Sequence, residues 1–155
     1  MKNPIRITAA LSLVALVACQ SEKKDFEKMK PEIDPIIAEM TPLAADFAKA
    51  RKESAPPSST DAIQHACAAA QKSAEKTHFD VLMYRAGKAK DTAIAFQSAL
   101  AQVAAIVTPD VGDMTLILRW DSSACEKAVD DLCAASAALS QAAKSNGVAI
   151  EPICK

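Results

Sequence analysis

The chain has 155 residues, with 18 Lys and Arg against 19 Asp and Glu, and a formal charge of −1. That balance supplies no field strong enough to gather nucleic acid, and the length suits one domain with a modest core. Alanine accounts for 33 residues and the aromatics for six, which favours helices meeting over small side chains and disfavours sheet.

The chain opens with Lys2 and Arg6, then runs uncharged from Ile7 to Ala18. A spanning helix needs ~20 apolar residues, so this run is too short to stay in a bilayer, and its basic flank fits a secretory signal. It ends in Leu16-Val17-Ala18-Cys19. This tetrapeptide resembles the lipobox of bacterial lipoproteins. The resemblance implies cleavage before Cys19, a diacylglyceryl thioether on its sulfur and an acylated amine, so that palmitate-like chains anchor the protein. Gln20, where an Asp would resemble a retention signal, implies sorting to the outer membrane, facing the periplasm. The expected organisation is a signal peptide over residues 1–18, a lipidated tether over 19–30 beginning with the charged Ser21–Asp25, and a helical domain over 31–155.

From Phe26 the apolar residues step through Met29, Ile33, Ile36, Met40, Leu43 and Phe47, the spacing of one helix face. Pro31, Pro35 and Pro42 interrupt it. Asp34 as N-cap with Pro35 in the first turn predicts a first helix over about 35–53, bent near Thr41. Ala55 to Thr60 is a loop, and Ser59 or Thr60 caps a second helix from Asp61 with Ile63, Cys67, Ala70, Ala74, Phe79 or His78, and Leu82 inward. Gly87 is its expected stop. Asp91 or Thr92 then caps a third helix with Ala93, Phe96, Leu100, Val103 and Val107 inward. The apolar phase runs on through Gly87, but a single helix over 61–108 would be ~72 Å long, far more than the first helix could cover. Thr108–Asp113 is a turn. Ser123-x-x-Glu126 has the form of a capping box opening a last helix with Cys125, Val129, Leu132, Ala135, Leu139 and Ala142 inward, ended by Asn146-Gly147. Four helices with short connections predict an all-α, up-and-down four-helix bundle.

Of five cysteines, Cys19 is assigned to lipid, leaving Cys67, Cys125, Cys133 and Cys154. An even number in an exported domain reads as two disulfides. Cys125 and Cys133 are eight residues apart on one predicted helix, ~12 Å along its axis, beyond the ~7 Å a disulfide allows between Cα atoms. The tail from Gly147 can extend ~26 Å, which reaches back to Cys133 but not to Cys125. The expected pairs are Cys67–Cys125 and Cys133–Cys154.

Reactive motifs are sparse. His65 and His78 lie ~20 Å apart on one predicted helix and cannot share a metal. No C-x-x-C-H, G-x-S-x-G or phosphate-binding Gly loop occurs in the sequence. Glu126, Lys127, Asp130 and Asp131 read as a solvated face. Met114 to Trp120 is the most apolar stretch outside the alanine-rich helices, and its Arg119 and Trp120 are of the types enriched at binding hot spots. The expected protein is therefore non-enzymatic, without a cofactor or metal, and binds a protein of the envelope or contributes to envelope structure, for example as an inhibitor or immunity-type protein. The alternative is a bundle binding a small ligand, metal or haem, with His65 and Met29, Met40 or Met83 as candidate ligands.

Overall fold

The computed structural model describes residues 7–53, 60–77, 79–108 and 122–154, with side chains in the first helix described over 22–52 and in the second from 62. Among these residues it contains four α-helices: α1 (Ile7–Glu53), α2 (Thr60–Lys76), α3 (Lys88–Ala104) and α4 (Ser123–Ser145). A 3-10 turn, Val81–Met83, lies between α2 and α3. Successive helices pack side by side, α1 on α2, α2 on α3, and most extensively α3 on α4. Cross-links fix their directions. Ser73 of α2 meets Glu39 of α1, Gln71 meets Thr108 after α3, and Arg51 at the end of α1 meets Asp130 near the start of α4. The bundle is up-and-down, an arrangement in which four amphipathic helices bury their apolar faces against one another.

The first helix departs most from expectation. α1 passes through Pro31, Pro35 and Pro42 without ending. At 100° per residue the three prolines fall within about 40° of one another on one stripe, and all three are exposed. Each proline removes a helix hydrogen bond, but here the freed carbonyls belong to Glu27, Pro31 and Ala38, which are exposed residues. Thr41 Oγ1 donates to Ile37 O at 2.7 Å just before Pro42, a back-bond that helps a helix bend. Asp34 is no N-cap; it pairs with Lys30 at 2.7 Å within the helix. The opposite face carries Phe26, Met29, Ile33, Met40 and Phe47, all at most 2% exposed. Burial of such side chains contributes ~1.5–3 kcal/mol each, enough to outweigh prolines placed where water can replace what they remove.

The boundary expected between tether and domain at residue 30 is therefore absent. Phe26 and Met29 belong to the core, and α1 is continuous across it.

The second and third helices meet differently from the expected stop at Gly87. α2 ends at Lys76, where Thr77 Oγ1 donates back to Ser73 O at 3.0 Å. Past that point the helical phase is lost, so Phe79 and Tyr84 turn inward while Leu82 is 80% exposed. Gly87, with φ +145°, is the N-cap of α3 and not the C′ residue of α2. Neither Asp91 nor Thr92 caps that helix: Asp91 N–H donates to Gly87 O, and Thr92 Oγ1 to Lys88 O. α3 ends at Ala104, and beyond it Ile106 takes the core position while Val107 is 83% exposed. The capping assignment at Ser59 or Thr60 falls on side chains outside the described residues.

At the other end the expected stop holds. Gly147 has φ +75°, Gly147 N–H donates to Lys144 O and Val148 N–H to Ala143 O, the paired bonds of a Schellman motif. The chain then doubles back along α4. Lys30 Nζ donates to Ala149 O at 2.6 Å, and Val148, Ile150 and Ile153 are buried. α1 touches α4 only lightly; this tail fills the seam between them.

Candidate functional site

Cys19, the lipid-attachment residue expected from sequence, lies within α1, and its side chain is outside the described residues. Glu22 follows one turn later and is already part of the bundle. Its Oε1 accepts the N–H of Lys88 at 3.0 Å, satisfying an amide that a helix start leaves unpaired. A Cβ on Gly87 would sit 2.8 Å from that same oxygen, and the backbone there has a positive φ that L side chains rarely adopt. A glycine thus lets α1 cap α3 directly. The spacing from Cys19 to Glu22 is three residues, ~4.5 Å of helix.

The same end holds Tyr84, buried against Phe79 with ring centroids 6.0 Å apart. Its hydroxyl has no hydrogen-bond partner among the described residues. Burial pushes its pKa up to about 12, with further contributions from the negative charges of Glu32, Asp80 and Asp25.

Both expected disulfides are present. Cys67–Cys125 joins α2 to α4 with Cα atoms 6.3 Å apart, and Cys133–Cys154 joins α4 to the tail at 5.3 Å. The first pair is wholly buried. Beside the second, Ser136 is 0% exposed. Its hydroxyl donates to Cys133 O at 2.9 Å and accepts Ile153 N–H at 3.1 Å, satisfying a buried amide of the tail. Sequence reading missed Ser136; its signal was a serine at a position in phase with Leu132 and Leu139 on the inward face.

The acidic face of α4 is not merely solvated. Arg51 places its guanidinium on Asp130 at 2.9 and 3.3 Å and on Glu126 at 3.2 Å, and lies 5.5 Å from the Phe47 ring centroid. The hydrogen bond to Asp130 is the main cause of the raised Arg51 pKa. The capping box of Ser123 and Glu126 does not form: Ser122 is the N-cap, and its hydroxyl donates to Glu126 Oε1 at 2.7 Å.

His65 lies exposed on a groove of about 320 Å³ between α1 and α2, shared with Leu43, Asp46, Lys49 and Ala50. Met29 and Met40 are in the core instead, and Met83 is on the turn before α3, so the structure does not bring the candidate His and Met ligands together. Among the described residues no three His, Cys, Asp or Glu side chains are grouped to hold a metal, and no helix is long and apolar enough to cross a membrane. A second groove, about 500 Å³, runs between α1 and the tail along Thr41, Ala44, Ala45, Ala48, Ile153 and Cys154. Arg119, Trp120 and His78 lie outside the described residues.

The fold defines an all-α, disulfide-stapled four-helix bundle. Comparison with protein-family models, curated proteins and solved structures found no match.

Proposed function

We propose that this chain is a lipid-anchored protein of the bacterial envelope, acylated on Cys19 and held at the outer membrane facing the periplasm. Its helical domain binds another envelope protein and performs no catalysis. The carrying observation is the division of the five cysteines. Four pair within the fold, which suits an oxidising compartment, and the fifth stands at the end of a lipobox-like signal. Two or three acyl chains then hold the protein firmly, each buried methylene adding ~0.8 kcal/mol.

The interior supports a binding module. Its centre is filled by apolar side chains from all four helices and the tail, and the grooves named above are open to solvent. The groove along Ala44, Ala45 and Ala48 would let a partner helix approach α1 closely over small side chains. Arg119 and Trp120 remain the sequence-derived candidates for a second contact.

The test combines metabolic labelling with an alkyne fatty acid and photo-crosslinking from position 48 in intact cells. The expected result is a label abolished by Cys19→Ser and a discrete crosslinked protein. An unlabelled wild-type chain contradicts the anchor. A labelled chain that crosslinks to nothing, and is purified with a metal or haem, contradicts the protein-binding role and favours the His65 groove as a ligand site.

A further inference from the structure

The end of the bundle that adjoins Cys19 carries an apolar feature that the core does not use. Leu82 and Met83 are consecutive, 80% and 60% exposed, while their neighbours Phe79 and Tyr84 are buried at 2% and 3%. Single exposed apolar residues are ordinary on protein surfaces. These two differ because the backbone that presents them is braced from both sides. Asp80 Oδ1 accepts Leu82 N–H at 2.8 Å, Tyr84 N–H donates to Val81 O, and Gln97 Nε2 donates to Phe79 O at 2.9 Å. With two aromatic rings packed inward as its footing, the turn holds two large apolar side chains in water without burying either.

Its position is set by the capping of α3. Glu22 is hydrogen-bonded to Lys88, and Met83 is five residues before Lys88, at most ~18 Å of chain. Cys19 is three residues before Glu22, ~4.5 Å of helix. The turn and the acylated cysteine therefore belong to one end of one body, with no flexible stretch between them among the described backbone. Arg85 and Lys88 are exposed beside the turn and make no ion pair among the described residues, while Lys23 and Lys24 are exposed on α1. The acids of this end include Glu22 and Asp80, each accepting a backbone N–H, with Asp25, Glu27 and Asp91 nearby in sequence. The charges nearly balance, so apolar contact, with cations at its rim, is the attraction available.

We propose that Leu82 and Met83 are a second membrane contact, seated at the headgroup boundary of the bilayer that holds the acyl chains of Cys19. The lipid fixes one point of this end and the turn fixes another, so the bundle stands on the membrane in a defined orientation. This rests on the lipid-anchor reading above. Anionic lipid has only a small effect on the contact, because the cations here are offset by acids.

The experiment uses mature lipidated protein in vesicles of zwitterionic lipid brominated near the headgroup end of the acyl chains. Trp is placed singly as Leu82→Trp, Met83→Trp or Val107→Trp. The parent, whose sole Trp is Trp120, gives the baseline. Val107 is a matched control, 83% exposed but ~24 Å or more away along α3. For a side chain seated ~5–10 Å into the headgroup boundary, the added Leu82→Trp or Met83→Trp emission is quenched by the bromines, while that of Val107→Trp is unchanged. Circular dichroism confirms that each variant is folded, and a mass spectrum of the same sample reports acylation. Acylated protein in which all three positions behave alike overturns the second contact and leaves the anchor standing. Protein without acyl groups on Cys19 overturns both.

Discussion

The two disulfides close gaps of different kinds. Cys67–Cys125 joins α2 and α4, diagonal helices with little other contact, and both sulfurs are sealed in the core. Cys133–Cys154 joins no two helices. It pins an extended tail that lies in the seam between α1 and α4, a seam also held by Ser136, Ile150 and Ile153. The first bond constrains how the bundle is assembled, and the second seals a bundle already assembled. Loss of the first should weaken every helix contact; loss of the second should release the tail and expose the groove side of α1.

The largest effect is expected from Cys67→Ala combined with Cys125→Ala. Loop-closure entropy for the 58-residue separation corresponds to about 4 kcal/mol, and two small holes in the core add to it. Equilibrium denaturation should show the whole transition moving to lower denaturant. Cys133→Ala with Cys154→Ala removes a 21-residue loop, worth about 3 kcal/mol by the same relation. Here hydrogen exchange should rise first in residues 148–154, ahead of α3 and α4. If the tail stayed as protected as the helices, the seam would be sealed by its apolar contacts alone.

Ser136→Ala sharpens the comparison by leaving both disulfides in place. It strands the buried Ile153 N–H, at a cost of about 1–3 kcal/mol, and exchange at that amide should speed up while the Cys67–Cys125 side is unaffected. The smallest effect at neutral pH is expected from Tyr84→Phe, which removes a buried hydroxyl that is unpartnered among the described residues and should be neutral or slightly stabilising. Its consequence lies at high pH. The phenol ionises near 10.0 when unfolded and about 12 when folded, so the unfolded chain loses its proton first. Stability is unaffected by this group below about pH 10 and falls as the pH rises from about 10 to about 12. Tyr84 is the only tyrosine, so tyrosinate absorbance reads it directly, and Tyr84→Phe should remove its share of the alkaline loss.

Much of this was written in the sequence. The three-four spacing from Phe26 to Phe47 located the buried face of α1, and helix geometry plus chain reach selected both disulfides from three pairings. The boundaries were less legible, for identifiable reasons. Pro31, Pro35 and Pro42 are breakers by local rules, yet their shared stripe could be recognised as harmless only once that stripe was known to face water. Gly87 marks a break correctly but on the wrong side: it is the N-cap of α3, and the side chain that accepts an amide at that helix start is Glu22, 66 residues from Lys88 in sequence. No local pattern announces such a partner. A helical phase extended past the ends set by Thr77 and Ala105 points Leu82 and Val107 inward, whereas both are exposed. Ser136 looked like one more small residue in an alanine-rich helix until the tail amide it accepts was in view.

The proposed membrane contact depends on the acylation of Cys19, which is tested directly by the mass of the N-terminal peptide of protein extracted from membranes. The expected chain begins at Cys19 and carries a diacylglyceryl group on its sulfur and an acyl group on its amine. A chain that begins at any other residue, or one in which Cys19 is unmodified, would contradict it.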